Sequence, residues 1–471
     1  MSTLNRKNIY FLCILFIFVG FFLRLYQLNF EDYWFDELVD FWVADPSISL
    51  DTTFYRRELI NDQTPYPFQI FLKIYLSIFS YDPQIGRHVP LLFGLISIPL
   101  LGILSYQIKK NNSFLLTILL VSTNIYLIKY SQETRTYTLV FLLSIINLIF
   151  FYKIILTDLT FYKKILFCLL FIIFSVIGLS THPFVFVILF SQIFFSIYSY
   201  FVFKKKIFLF FISIPFILIL YLFFNYDYLV NQLSYNEYFL NHENWKFYYN
   251  FYFSRFFGSK IMGIIYLFTL IFLITYFRKK ILFRSNNYLL LVFILIFSYL
   301  IPLSYGLFRI PVLTDRYIIF VLIPILILIS VLLFEINNKK LRLSILILVL
   351  ISTFVNNYIE IAFRKNTKPE FTNLIDNLKK NEINNLTLYT PLKTYTEIVE
   401  NYIVSTKEYK NYDFNIFKIN NLPPEIKKIW VICYEPLVGY NCTITADKKN
   451  WILINTKKMY LVNAKLYEII N

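Results

Sequence analysis

The sequence YWFDE at Tyr33–Glu37 places two adjacent carboxylates, Asp36 and Glu37, among aromatic residues just after the first apolar segment of the chain. Asp40 follows one helical turn after Asp36, so on a helix these two side chains share a face while Glu37 points about 100° away. Two adjacent carboxylates beside aromatic residues near an apolar segment are costly to keep unless they have a function. The alternative interpretation is an ordinary solvated loop at a membrane surface.

The composition indicates a protein that crosses a membrane several times. Of the 471 residues, 58% are hydrophobic and 16% are charged, whereas soluble proteins are about 45–50% apolar and about 25% charged. The formal net charge of +16 is carried by short basic clusters between apolar segments. That distribution is typical of membrane orientation signals, and it argues against a nucleic-acid-binding face. The chain has no glycine-rich phosphate-binding motif, which argues against a nucleotide-binding fold.

Apolar segments long enough to span a membrane recur along most of the chain and predict an all-α polytopic protein with about eleven transmembrane helices. They lie at about 8–28, 88–108, 113–129, 137–156, 164–180, 184–203, 207–224, 259–277, 287–306, 316–334 and 341–359. The segment 68–80 is too short to span and contains Lys73, so we expect an interfacial helix there. The first segment lacks a signal-peptide cleavage site and is expected to remain as a span.

The basic residues predict the orientation of the chain. With 68–80 excluded from the spans, all six basic clusters fall on one side of the membrane, which the positive-inside rule assigns to the cytoplasm together with the N-terminus. The opposite, outer side receives the potentially catalytic carboxylates near helix ends. The outer loops are predicted at 29–87, 130–136, 225–258 and 307–315.

The composition changes after a membrane module of residues 1–360, and residues 361–471 are predicted to form a small extracytoplasmic α/β domain. Its patterns predict helices at 369–380 and 394–404, and strands at 385–390, 428–434, 450–454 and 459–463. Cys433 and Cys442 flank a predicted turn and are candidates for a disulfide in an oxidising compartment. Two unpaired thiols are the alternative.

Arg135 and Arg316 lie at predicted outer helix ends, where an anionic lipid headgroup would be. A guanidinium binds phosphate oxygens through two parallel hydrogen bonds. Arginines at helix ends also extend to the interface without any further function. Basic residues are, however, less expected at outer than at cytoplasmic ends. The pattern therefore favours chemistry on a lipid phosphate.

Six short motifs occur in order within residues 8–335. They are Asp36-Glu37, Asn61-Asp62-Gln63-Thr64-Pro65, Arg87-His88-Val89-Pro90, the YSQETRTY turn at Tyr130–Tyr137, Thr181-His182-Pro183-Phe184, and Asp315-Arg316-Tyr317 with Pro324. In this order they resemble the motifs of the bacterial lipid-linked-sugar glycosyltransferases of the GT-C superfold, which are related to protein O-mannosyltransferases and to the lipid A aminoarabinose transferase. Two departures are Tyr66 in place of a usual proline and Pro183 in place of an aromatic residue.

The resemblance implies a GT-C membrane fold and an inverting glycosyltransferase. The enzyme would move a hexosyl or pentosyl group from a polyprenyl-phosphate donor to the hydroxyl of a lipid, glycan or protein acceptor. It would work at the outer face of a bacterial inner (plasma) membrane. No nucleic-acid partner is expected.

The resemblance also implies roles for individual residues. Asp36 would accept the proton of the acceptor hydroxyl as a general base. Arg135, Arg316 and Arg87 are expected to bind the donor phosphate. Glu133 and Tyr137 are expected to support them. A divalent metal ion (Mg²⁺, Mn²⁺ or Zn²⁺) is an expected cofactor if one is used. Its candidate ligands are Glu37, Asp62 and His182.

Two other functions are open at this point. A polymerase or ligase of surface glycans also acts on lipid-linked sugars, but from a pyrophosphate carrier, and it does not require the Asp36-Glu37 pair. A flippase or transporter of a lipid-linked intermediate needs polar residues along a path through the bundle. The predicted spans contain almost no charged residues near their centres, which disfavours transport.

Overall fold

The computed structural model of the chain describes residues 5–60, 66–156, 160–203, 208–234, 253–279, 286–309, 311–379, 383–390, 393–410, 413–419, 421–434 and 450–470. The first part of the fold is helical. Its helices are α1 (Arg6–Leu25), α2 (Phe35–Val43), α3 (Leu50–Leu59), α4 (Pro67–Ile78), α5 (Pro83–Gly86), α6 (His88–Ile108), α7 (Ser113–Thr123), α8 (Ile125–Tyr130), α9 (Tyr137–Leu156), α10 (Phe161–Thr181), α11 (Phe186–Phe203), α12 (Phe208–Ser234), α13 (Lys260–Tyr276), α14 (Asn286–Phe308), α15 (Leu322–Glu335) and α16 (Lys339–Ala362).

Each of the eleven predicted spans coincides with apolar helix in the structure. Within the described ranges, seven helices are long and apolar enough to cross a membrane, and five more apolar helices are shorter. One of the short ones is α4, the predicted interfacial helix, which has 12 residues. The polytopic architecture predicted from the sequence is thus confirmed.

Two predicted spans differ in detail from the observed helices. The window 113–129 is divided into α7 and α8 at Asn124, whose backbone is extended and whose side chain accepts a hydrogen bond from the Leu127 N–H, starting α8. Helix α12 is kinked at Asn225 and continues to Ser234, into the predicted outer loop 225–258. The central part of that loop, 235–252, lies outside the described residues.

The break at Asn124 is stabilised by a buried arginine. Arg24, in the last turn of α1, donates hydrogen bonds to the carbonyl oxygens of Val121 (2.9 Å) and Ser122 (2.9 Å), which precede the break, and to Gly20 (3.1 Å). A Cβ atom added to Gly20 would lie 2.9 Å from Ser122 Oγ, so the close approach of α1 to α7 requires glycine there. Arg24 therefore supplies donors that an apolar helix end lacks.

The C-terminal part of the chain forms a small α/β layer. It consists of α17 (Phe371–Leu378), β1 (Asn385–Tyr389), α18 (Lys393–Lys410), β2 (Asn415–Phe417), β3 (Lys428–Tyr434), β4 (Trp451–Met459) and β5 (Val462–Ile469). The sheet has the order β2-β1-β3-β5-β4, in which β1 is parallel to β2 and β3, and β5 is antiparallel to β3 and β4. A C-terminal α/β unit is therefore confirmed.

The strand prediction for residues 450–470 needs correction. The predicted strands at 450–454 and 459–463 are two longer strands of one hairpin, and Leu461 in its turn has a positive φ of 57°. The short edge strand β2 was not predicted from the sequence. Cys433 is disulfide-bonded and lies in β3, while its predicted partner Cys442 lies outside the described residues.

The C-terminal layer and the first long loop share one hydrophobic core. Leu38 and Phe41 of α2 are buried in the same cluster as Leu374 and Trp430. Tyr33, just before α2, stacks on Tyr402 of α18 with 5.3 Å between ring centroids. The acidic segment around Asp36 is thus enclosed between the helical bundle and the C-terminal layer.

Replacement of Arg24 by methionine is expected to destabilise the protein by about 3 kcal/mol, because buried carbonyl oxygens at the end of α7 lose charged donors. Thermal and denaturant unfolding of the purified protein in detergent measures the loss. Lys340→Met, at an exposed position, is the control and should change stability by less than about 0.5 kcal/mol. Equal stability of the two variants would contradict a structural role for Arg24.

Candidate active site

The acidic segment is fixed by a buried tyrosine and by the first turn of α2. The Tyr33 hydroxyl donates to the Pro83 carbonyl at 2.5 Å and accepts from the Thr134 hydroxyl at 2.6 Å. The Glu37 side chain accepts a hydrogen bond from the Trp34 N–H at 3.3 Å, which caps the helix. Carboxylates in the first turn also suit the positive end of the helix dipole. The YWFDE sequence therefore forms a rigid helix start.

Asp40 and Arg135 form the deeper of two ion pairs at this site. Arg135 Nη1 lies 2.8 Å from Asp40 Oδ2, and the side chains are only 6% and 1% exposed. The other Asp40 oxygen accepts from Gln69 Nε2 at 2.6 Å, and Arg135 also donates to the Asp36 carbonyl at 3.0 Å. This pair joins α2 to the YSQETRTY turn, which lies between α8 and α9.

Asp36 and Arg316 form the outer, more open pair. Arg316 Nη1 lies 3.3 Å from Asp36 Oδ2, and both side chains are near 30% exposed. Arg135 Nη2 approaches the same carboxylate oxygen at 3.8 Å. Although Asp36 and Arg316 are 280 positions apart, the fold places them in contact at one end of the bundle. The structure thus brings the side chains of Asp36, Arg135 and Arg316 together, and their roles stay predictions.

Aromatic rings surround the outer pair. The Arg316 guanidinium lies 5.2 Å from the Trp34 ring centroid and 5.9 Å from that of Tyr137, within cation–π range. Burial opposes the charge on Arg316, but Tyr137 and Asp36 together raise its pKa above the usual value. Arg316 therefore remains a cation beside a partly exposed carboxylate.

Glu37 and Glu133 face a lysine from the C-terminal part of the chain. Lys368 Nζ lies 2.6 Å from Glu37 Oε2 and 3.6 Å from Glu133 Oε1. The second Glu37 oxygen accepts from the Thr134 N–H at 2.7 Å. Glu37 is fully buried, and both of its carboxylate oxygens accept hydrogen bonds from donors of the protein itself.

His182 lies behind the outer pair, at the end of α10. Its ring is 4.8 Å from the Tyr317 ring, and its Nδ1 atom accepts from the Phe184 N–H at 3.2 Å. Burial, reinforced by the charges of Arg135 and Arg316, lowers the pKa of His182 to about 3. The imidazole is therefore neutral at physiological pH.

Arg87 has a different environment from the other two arginines. Its Nη atoms donate to the carbonyl oxygens of Leu28 (3.0 Å) and Asp32 (3.2 Å), and its guanidinium lies 5.0 Å from the Tyr33 ring centroid. These contacts stabilise the loop before α2. Its phosphate-binding role, inferred from motif position, stays a prediction.

Of the residues predicted to bind a divalent ion, Glu37 fits that role poorly. Among the described residues, no three His, Cys, Asp or Glu side chains come together as a metal-binding group. The Glu37 carboxylate is occupied by an ammonium and two backbone N–H groups. Asp62 lies outside the described residues, so the structure does not test it. A metal ion at this site stays a prediction for which Glu37 does not fit.

Sequence reasoning did not identify Lys368 or Gln69 as site residues. Gln69 follows a proline-rich turn at the start of α4, and Lys368 is one of many lysines in a basic chain. Lys368 is 331 residues away from its partner Glu37. Only the three-dimensional fold reveals these contacts.

Comparison with known proteins gives a fold but no sequence family. Neither a protein-family model nor a curated protein sequence matches the chain. The structure of ArnT from Cupriavidus metallidurans in the apo state has a TM-score of 0.60 at 9% identity, over 96% of this chain and 97% of ArnT. The same protein bound to undecaprenyl phosphate gives 0.57 at 9% identity over the same shares. The apo oligosaccharyltransferase from Archaeoglobus fulgidus gives 0.53 at 10% identity, over 92% of this chain and 70% of that one. The chain therefore has the ArnT-like GT-C membrane fold that its motifs predicted.

Proposed function

We propose that the chain is an inverting glycosyltransferase that moves a hexosyl or pentosyl group from a polyprenyl-phosphate donor to an acceptor hydroxyl, at the outer face of a bacterial inner membrane. The observation that supports this most is the contact of a partly exposed carboxylate, Asp36, with two arginines at one end of the bundle. An acid beside paired cations is what this transfer needs. Undecaprenyl phosphate bound to ArnT, and dolichol phosphate bound to the archaeal oligosaccharyltransferase AglB from Archaeoglobus fulgidus, are consistent with a lipid phosphate as donor here.

The arginines would stabilise the leaving group. A departing lipid phosphate needs no proton, only neutralisation of its charge, and guanidinium groups supply this in a partly desolvated site. Arg135 is held by Asp40 at 2.8 Å and is almost fully buried. Arg316 has the longer 3.3 Å contact and greater exposure, so it is the arginine that an incoming phosphate reaches first.

Donor binding would also release the base. Without donor, the Asp36 carboxylate forms an ion pair with Arg316. A phosphate that takes up the Arg316 donors leaves Asp36 with a single distant cation, Arg135 Nη2 at 3.8 Å. The carboxylate can then accept the proton of the acceptor hydroxyl while that oxygen attacks the anomeric carbon from the face opposite the phosphate.

Of the four side chains Asp36, Glu37, Asp40 and His182, Asp36 is the one suited to act as the base. Asp40 and Glu37 are buried, and both oxygens of each accept hydrogen bonds from protein donors. His182 is buried, and its Nδ1 atom is hydrogen-bonded to the Phe184 N–H. Asp36 alone among these four groups has a side chain about one-third exposed, which gives an acceptor access to it.

Replacement of Asp36 by asparagine is expected to lower transfer by about 10²- to 10⁴-fold, the usual contribution of a general base, with membrane insertion intact. Turnover of a labelled polyprenyl-phosphate sugar in proteoliposomes, with transbilayer movement of the lipid followed in parallel, measures it. Asp51→Asn, at an exposed position on α3, should retain full activity. Near wild-type transfer by the Asp36 variant would exclude Asp36 as the base, and lipid movement without sugar transfer would favour a flippase.

Replacement of Arg316 by alanine is expected to raise the donor KM by about 10- to 100-fold, because a charge-assisted contact of about 1.5–3 kcal/mol to the phosphate is lost. Initial rates at varied donor concentration separate KM from kcat. Lys260→Ala removes an exposed cation at the start of α13 and should leave both constants unchanged. A donor KM equal to that of the wild type would show that Arg316 does not bind the phosphate.

A further inference from the structure

Lys368 enters the site from the segment between α16 and α17, far from every motif of the bundle. Its ammonium lies between two carboxylates, 2.6 Å from Glu37 and 3.6 Å from Glu133, and its side chain is only 7% exposed. A buried lysine of this kind is rare and needs a compensating interaction. The two glutamates supply it.

The two glutamates in turn need a cation. Glu37 is fully buried and Glu133 nearly so. Two buried carboxylates that share one low-dielectric site cannot both remain ionised without a positive charge near them. A bridging divalent ion can supply this charge, because hard cations prefer carboxylate oxygens. The ammonium group of a lysine can also supply it, and in this structure Lys368 does so.

We propose that Lys368 is a built-in countercation that takes the place of a divalent metal ion between Glu37 and Glu133, so that sugar transfer does not depend on a metal bound at Glu37. This inference rests on the proposed glycosyltransferase function for its activity readout, but not for its binding readout. It makes Lys368 a positioning residue, because its contacts reach the reacting groups through Glu37 and Glu133.

The lysine is held in place by the segment that carries it. Glu31, in the first loop, accepts from the Thr367 N–H at 2.7 Å and the Thr367 hydroxyl at 2.8 Å, and pairs with Arg364 at 3.0 Å. Burial opposes ionisation of Glu31, but Lys368, Thr367 and Arg364 together lower its pKa to about 2. These contacts fix the backbone next to Lys368. Because the ammonium is already in position, little side-chain entropy of Lys368 would be lost when substrate binds.

The Lys368 contacts also connect Asp36, on α2, with Arg135, on the turn before α9. Glu37 precedes its helix partner Asp40 by less than one turn and is adjacent to Asp36. Its other oxygen binds the N–H of Thr134, the neighbour of Arg135. Loss of the ammonium would leave Glu37 uncompensated and would shift both Asp36 and Arg135 by way of these backbone links.

The first experiment uses the wild-type protein and needs no lysine variant. Binding of Mn²⁺ alone is counted by electron paramagnetic resonance, in the wild type and in Glu37→Gln. We expect equal Mn²⁺ binding by the two proteins and transfer rates unchanged by a chelator. Mn²⁺ that binds to the wild type and is lost in Glu37→Gln would overturn the proposal. So would inactivation of the wild type by the chelator with recovery on adding Mn²⁺.

The second experiment replaces the lysine. Lys368→Ala is expected to lower transfer by at least about tenfold, to bind one more Mn²⁺ than the wild type, and to regain activity several-fold with Mn²⁺. Lys368→Arg should retain more activity than Lys368→Ala without metal. Lys365→Ala, at an exposed position three residues earlier, should behave as wild type in every assay. Full activity of Lys368→Ala, or no added Mn²⁺ binding by it, would overturn the inference.

The two experiments separate this inference from the proposed function. If no polyprenyl-phosphate sugar is turned over by the wild type, the glycosyltransferase assignment fails, while the Mn²⁺ counts still decide the role of Lys368. If Lys368→Ala does not fold because two buried carboxylates lose their cation, preparation in Mn²⁺ should restore its folding. Failure of Mn²⁺ to restore folding, when Lys368→Arg folds normally, would count against a metal-like role.

Discussion

The cost of burying carboxylates away from water governs the structure at the site end of this molecule. Glu37 and Asp40 are almost completely buried, and each has a cation within 3 Å: Lys368 for Glu37 and Arg135 for Asp40. Such pairs add little net stability, but breaking one costs about 3–5 kcal/mol. Once these two acids are neutralised, Asp36 is left as the acid with a partly exposed side chain and a cation, Arg316, that a ligand can displace.

The cations of the site come from three separate parts of the chain. Arg135 belongs to the turn before α9, Arg316 to the segment before α15, and Lys368 to the segment after α16. Among the described residues, no single helix or loop contains both members of an ion pair of the site, so the site forms only when the bundle and the C-terminal layer have assembled. The surrounding rings of Trp34 and Tyr137 then reduce the exposure of Arg316, which strengthens its interaction with an anion relative to one at an open surface.

Local patterns in the sequence predicted the parts of the structure that depend on local physics. Apolar length predicted the helices, and the spacing of Asp36 and Asp40 predicted that both side chains share a helix face. Their common contact with Arg135 was not predicted. The division at Asn124 was not predicted, because the residues on both sides are equally apolar and the break depends on Arg24 of another helix. Lys368 could not be predicted, because periodicity contains no information on which of many lysines meets a glutamate 331 residues away. Likewise, the hydrogen bonds of Arg87 to loop carbonyls could not be predicted from its motif position, and its phosphate-binding role stays a prediction.

The same charge constraint bears on how the C-terminal layer relates to the bundle. Composition suggested a boundary near residue 360, yet two buried carboxylates of the first loop depend on donors that follow it. Glu31 binds Thr367 and Arg364, and Glu37 binds Lys368. Replacing Arg364 and Lys368 by neutral residues would leave both acids buried without these cations, at about 3–5 kcal/mol each, against a total stability of about 5–15 kcal/mol for a typical protein. The change in composition therefore marks where the chain leaves the apolar bundle, and the ion pairs of Glu31 and Glu37 connect the segment beyond it to the first loop.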